Sequence, residues 1–244
     1  HPATHHPFKS HNSALHHLID GGWMYVLHFN NDITSAGFVL DIEKHPHTGE
    51  SPSNEWARII KTYPKILEQF EDSTLHTPLV QTSRLQRKSV RCAGENWAML
   101  PSAAYFVDPL HSTGNAHTLY CIERLMNAIH LGDSLTSYES QMNDEISLID
   151  DLVSGAYGAM SDFDSFTNLA MLYFAGADFS ERKRRTEGSA SFINSQDKRY
   201  RETVSHWAEQ ARLGNVISNL KDAIEPWNCI GLCDESKQNM YDYA

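Results

Sequence analysis

Long apolar runs are missing from this sequence: no stretch approaches the eighteen or so residues needed to cross a bilayer. Nor does a charged-then-apolar leader precede the first periodic segment. Together these absences predict a soluble, cytoplasmic protein with no membrane partner. Basic charge is also short, with 20 Lys and Arg against 31 Asp and Glu and a net charge of -11. Such a balance opposes broad phosphate-backbone contact and removes nucleic acid from the expected partners. Cysteine is scarce, and Cys92, Cys121, Cys229 and Cys233 are irregularly spaced, which favours reduced thiols over a disulfide framework. Cys229 and Cys233 are two ligands and not a metal site, so no metal is expected. There is no Gly-x-Ser-x-Gly elbow to support Ser-His-Asp hydrolysis, and no fixed-period repeat.

What is present can bury a core: 244 residues, 41% of them hydrophobic, suit one large domain or two small ones. The chain opens on His1, which reads as a piece of a longer polypeptide. His1, His5, His6, His11, His16 and His17 lie among Pro, Ser and Asn, and their irregular spacing predicts a solvated arm over 1–20 more than a metal site. From Gly22 the period becomes two, with Trp23, Tyr25, Leu27 and Phe29 on one face. Asn30–Asp32 supplies a turn, and Ala36, Phe38, Leu40 and Ile42 resume the alternation, which predicts an antiparallel hairpin with an apolar face.

Asn54 can cap a helix carrying Trp56, Ile59 and Ile60, and Pro64 either kinks it or starts another. Weak strand patterns run over 80–90 and 95–100. After Gly114 the chain reads as helical. Leu119, Ile122, Leu125, Met126 and Ile129 form one stripe, and Tyr138, Met142, Ile146, Ile149, Leu152 and Val153 another. Further helices are marked by Phe166, Leu169, Tyr173 and Ala177, and by Tyr200, Val204, Trp207 and Ala211. Strands followed by helices predict an α+β fold, or the later part of a larger mixed one. The expected regions are an arm at 1–20, an antiparallel sheet with a helix at 21–113, and a helical region at 114–244.

The join between the last two regions carries the most specific signal, Asp108-Pro109-Leu110-His111-Ser112-Thr113-Gly114. It ends an extended segment and starts a helix. Ser112 or Thr113 can cap, and Gly114 has no side chain to hold off a flat ligand. The N–H groups of Thr113, Gly114 and Asn115 then suit an anion or an electron-rich ring edge, although such strand-to-helix turns often hold nothing.

The run "FVDPLHSTG" resembles the second flavin-contacting motif of the flavin-dependent tryptophan halogenase family, within the FAD monooxygenases of p-hydroxybenzoate-hydroxylase-like fold. Gly22-Trp23-Met24-Tyr25-Val26-Leu27-His28 is similar to that family's Gly-Trp-x-Trp-x-Ile-Pro strand, and "RLQR" at 84–87 to a strand between the two motifs. The resemblance covers roughly 20 to 180 and implies an FAD-dependent oxidoreductase acting on an aromatic or other organic small molecule. It places flavin against Asp108, Pro109, Leu110, Ser112, Thr113, Gly114 and Asn115, with halide at the Thr113 and Gly114 amides in true halogenases. His111 would serve as a proton donor or acceptor, Trp23 and Tyr25 would line the substrate pocket or pack as sheet core, and a flavin reductase would be a partner.

The sequence also departs from the family. Pro101 and Ser102 stand where its Gly-Asp would sit, and Tyr105 where a glycine is usual. No Gly-x-Gly-x-x-Gly, which seats a dinucleotide pyrophosphate on a helix N-terminus, occurs in the 244 residues. Hence the expectation is the substrate-side and C-terminal helical portion of such a flavoprotein. The alternative is a cofactor-free binding or assembly domain derived from one.

Overall fold

A computed structural model describes residues 12–237. His1, His5, His6 and His11 of the expected arm lie outside the described residues, whereas His16 and His17 belong to a strand. The chain divides into two compact units at Arg84 and Leu85.

In the first unit, β1 (Leu15–Ile19), β2 (Gly22–His28) and β3 (Thr34–Leu40) form an antiparallel meander. Gly21 and Asp32 take left-handed φ values of 69 and 63 in the two turns, as tight reversals require. The register pairs Met24 with Phe38 and Val26 with Ala36. Ile19, Met24 and Val26, together with Phe38 and Leu40, pack on Ile59 and Ile60 of α1 (Pro52–Thr62) and Ile66 of α2 (Pro64–Phe70). Ser51, and not Asn54, caps α1, accepting from the Asn54 amide at 3.3 Å, and Pro64 begins α2.

This corrects the face assignment. The helix-covered side of β2 is Met24 and Val26; Trp23 and Tyr25 lie on the other, and Phe29 is exposed. Both faces of β2 are apolar, so alternation alone could not choose between them.

The second unit begins with a two-stranded ribbon, β4 (Arg87–Lys88) with β5 (Tyr105–Phe106), around the short helix α3 (Pro101–Ala104). Long helices follow: α4 (Gly114–Leu131), α5 (Leu135–Gly158), α6 (Phe163–Glu187) and α7 (Lys198–Arg212), then the short α8 (Leu220–Ile224). Within this unit Tyr105, Cys92 and Ala104 share a core with Cys121, Tyr138, Met142 and Ile146 of the helices. The larger core joins α5, α6, α7 and α8 through Leu152, Leu169, Leu172, Tyr200, Val204 and Ile224.

Helix ends follow simple rules. Ser134, Asp162 and Asp197 accept amides at the starts of α5, α6 and α7, and left-handed Gly132 and Gly188 close α4 and α6. Packing of α5 on α7 is close: a Cβ on Gly155 would lie 2.9 Å from Ala208 Cα, and one on Gly158 2.7 Å from the Ala211 carbonyl carbon. Among the described residues no helix is long and apolar enough to cross a membrane.

Candidate functional site: the turn before α4

Pro109 follows Asp108 where the extended segment from β5 ends, and the turn is held by Asp108. Its Oδ1 accepts from the Leu110 amide at 2.8 Å, an Asx turn, and its Oδ2 accepts from the Tyr157 hydroxyl at 2.7 Å. One carboxylate therefore ties the turn to itself and to the end of α5. Leu110 is buried as an anchor, and the Ser112 amide donates to the Pro109 carbonyl at 2.9 Å. Ser112 is left-handed, at φ 53, which turns the chain sharply into α4.

The imidazole of His111 stacks on Tyr173 of α6, with centroids 4.6 Å apart and planes 10° apart. Thr113 is the N-cap residue but is buried, and its side chain makes no cap hydrogen bond. The first intrahelical bond runs from the His117 amide to the Thr113 carbonyl, at 2.9 Å. Gly114, Asn115 and Ala116 precede it and are exposed. A Cβ at Gly114 would meet nothing within 4 Å, so the helix start is open to an approaching group. Asp108 through Asn115 are thus brought together in one turn. Trp23 and Tyr25 belong to the other unit: Trp23 is buried against His16, with centroids 4.7 Å apart, and its Nε1 has no hydrogen-bond partner among the described residues.

Directly behind the turn lies a buried polar cluster that the sequence reading did not single out. His117 is fully buried and stacks on Phe192, with centroids 4.7 Å apart. Its Nε2 lies 2.8 Å from Glu145 Oε2, and its Nδ1 shares a hydrogen bond with the Tyr105 hydroxyl. Both contacts are satisfied when Nε2 donates to the carboxylate and the tyrosine donates to Nδ1. Arg124 grips the same carboxylate with two N–H groups, at 2.5 and 3.1 Å, and the Phe192 amide adds a fourth donor at 3.3 Å. Burial pushes the Glu145 carboxyl up, but the hydrogen bonds of His117 and Arg124 and the charge of Arg124 outweigh it and hold the group below the usual carboxylate range.

His117, Cys121 and Glu145 place donor atoms within 4.8 Å of one another. The guanidinium of Arg124 already occupies the cation's role there, and burial, then the neighbouring Glu145, push the Cys121 thiol up to about 12, away from the thiolate a metal needs. Tyr105, at the position of the expected family glycine, turns its side chain inward to this cluster. Two signals pointed to it: His117, Cys121 and Arg124 at helical spacing, and one carboxylate, Glu145, within an otherwise apolar stripe of α5.

The chain is similar to known halogenases in sequence and in fold. No family model matches the chain. It is 34% identical over 179 residues to monodechloroaminopyrrolnitrin halogenase PrnC of Pseudomonas fluorescens, covering 66% of this chain and 32% of that protein. To the tetracycline 7-halogenase of Kitasatospora aureofaciens it is 30% identical over 138 residues, 52% of this chain and 25% of that one. The solved halogenase PltM superposes with a TM-score of 0.75 at 22% identity, over 91% of this chain and 51% of that chain, and PltM has also been solved with phloroglucinol and FAD. The chain is similar to a portion of these halogenases, spanning about a third or less of the sequence relatives and about half of PltM.

Proposed function

We propose that this chain is the substrate-side and helical portion of an FAD-dependent oxidoreductase of halogenase or monooxygenase type, acting on an aromatic or other organic small molecule. The observation that carries the reading is the open first turn of α4 behind a turn fixed twice by Asp108. When bound, the flavin supplies the redox chemistry, and the protein supplies orientation and electrostatics. The residues present fit the edge of a flat ring: Gly114 leaves room for it, and the amides of Thr113, Gly114 and Asn115 offer donors on the positive end of α4. They do not fit a dinucleotide pyrophosphate, for which no glycine fingerprint is present.

In this reading the Asp108 turn sets the height of the ring edge, Pro109, Leu110 and Ser112 shape the contact, and the Thr113 and Gly114 amides hold halide. His111, fixed in plane by Tyr173, handles a proton near the ring. Trp23 and Tyr25 contact substrate from the sheet, a separate flavin reductase supplies reduced cofactor, and the protein works in the cytoplasm, in keeping with its scarce, irregularly spaced cysteines. The missing fingerprint favours a second reading, a cofactor-free assembly domain that keeps the turn as architecture.

Flavin titration of the polypeptide translated from the complete reading frame separates the two. Gly114→Val is the test variant, since a Cβ at this position meets nothing within 4 Å. The flavoenzyme reading expects a yellow protein whose FAD affinity falls at least tenfold in Gly114→Val. A colourless protein, or equal affinity in both forms, removes it.

A further inference from the structure

One helix holds the candidate site from both ends. At the start, Asp108 Oδ2 accepts from the Tyr157 hydroxyl at 2.7 Å, and just past the finish His117 Nε2 lies 2.8 Å from Glu145 Oε2. Tyr157 and Glu145 both belong to α5, twelve residues apart, about 18 Å along its axis at 1.5 Å per residue. The two grips differ in kind. Glu145 is buried and also bonded to Arg124 and the Phe192 amide, so that end is part of the core. Tyr157 is half-buried: its ring packs against the helical core, and its hydroxyl reaches the turn. Gly155 and Gly158 lie on either side of it in the sequence and meet Ala208 and Ala211 of α7, so the stretch of α5 that carries the hydroxyl is closely packed.

A hydroxyl bonded to a carboxylate is a stronger contact than a bond between two neutral groups. The other oxygen of the same carboxylate makes the Asx turn with the Leu110 amide at 2.8 Å. A carboxylate is planar and rigid, so holding Oδ2 in place also aims Oδ1, and with it the path of Leu110 to Ser112 into α4. We propose that Tyr157 is a positioning residue of the site: its hydroxyl, acting through Asp108, sets where the turn and the first amides of α4 stand against a ligand. Tyr157 lies 49 residues beyond Asp108 and outside the motif at 108–114. The competing role is a bond that stabilises the helical unit and leaves the site untouched. Binding separates the two, because a displacement of about 1 Å in a positioned group is enough to weaken function about a hundredfold.

Tyr157→Phe keeps the ring and removes the bond. Tyr138→Phe is its control on the same helix, deleting a hydroxyl that donates to the Met99 carbonyl at 2.8 Å, outside the turn. Both are made in the polypeptide translated from the complete reading frame. Hydrogen–deuterium exchange is followed in a peptide carrying the Leu110 and Ser112 amides, and FAD affinity is measured by titration. In Tyr157→Phe the expected result is exchange about tenfold faster and FAD affinity about tenfold weaker, the scale of one hydrogen bond to a charged group. Tyr138→Phe is expected to leave both unchanged. In an Asp108→Ala background Tyr157→Phe should add no further loss, since it acts through that carboxylate. Unaltered exchange in Tyr157→Phe overturns the proposal, as does an equal loss in Tyr138→Phe or a full additional loss over Asp108→Ala. Faster exchange with unchanged FAD affinity also overturns it and leaves Tyr157 the competing role. The ligand, though not the geometry, rests on the flavoenzyme reading. If the unsubstituted polypeptide takes up no FAD, that reading falls, and the exchange rates alone decide whether Tyr157 sets the turn.

Discussion

Buried Glu145 accepts hydrogen bonds from His117, two nitrogens of Arg124, the Phe192 amide and, at 4.0 Å, the Cys121 thiol. Removing its charge leaves Arg124 half-buried without a counterion, so Glu145→Gln is expected to cost about 3–5 kcal/mol, the range for breaking one side of a buried ion pair. Urea unfolding of the variant measures it, and a loss below about 1 kcal/mol would show that the cluster contributes little. Glu139 makes a similar arrangement nearer the surface, accepting from Arg91 Nε at 2.8 Å and from the Cys92 and Ala93 amides at 2.9 and 3.3 Å. The Arg91 hydrogen bond first, then that of the Cys92 amide, push its carboxyl down to about 2. A depressed carboxylate stabilises the fold above its unfolded value of about 4.3, and that contribution is lost as pH falls from there through about 2. The midpoint of urea unfolding should therefore fall across this window, and fall less steeply in Glu139→Gln. Parallel curves for the two proteins would remove Glu139 from the acid response.

Between elements, α5 packs closely on α7. Ala at Gly158 gains about 1 kcal/mol in intrinsic helix preference, but its Cβ would sit 2.7 to 2.9 Å from backbone atoms of Ala211 and Arg212, which cannot rotate away. Overpacking of this kind costs about 1–3 kcal/mol, so Gly158→Ala should lower the melting temperature. Gly132→Ala, whose neighbourhood is open but whose φ is 70, should lower it for conformational reasons alone. A melting temperature raised in Gly158→Ala would mean that the helices are not so tightly apposed.

Helices α5 and α7 were legible because their apolar positions recur at 3.6 residues and end in core. Strand β1 was not: its LHHLI carries two adjacent histidines, and only pairing with β2 reveals it. The stripe of α4 was legible, but not the side it faces, since His117 and Cys121 weigh less on a hydropathy scale than the exposed leucine and isoleucines of the stripe.

For the whole molecule, a sequence pI near 5.6 and an exposed apolar stripe act together. Charge repulsion keeps copies apart at neutral pH and fades as the net charge approaches zero. Light scattering of the 244-residue chain should therefore rise as pH falls from 7 toward about 5.6, and Met126→Asp should delay that rise. Scattering unchanged by the substitution would show that association uses another surface.

At this scale the sequence showed which turn to examine, because Asp-Pro, a cap and a glycine are local features. It did not show what stands behind the turn, because Glu145 reaches His117 from 28 residues away.

One consequence reaches beyond the turn. Gly155 and Gly158 face Ala208 and Ala211, and the neighbours of those alanines on α7 are Trp207, Glu209, Gln210 and Arg212. Sliding α7 by a single residue in either direction would drive a large side chain into a space sized for a methyl group. The helical unit is thereby keyed to one alignment, and Tyr157, beside Gly158, passes that alignment to the turn before α4 through its hydrogen bond to Asp108.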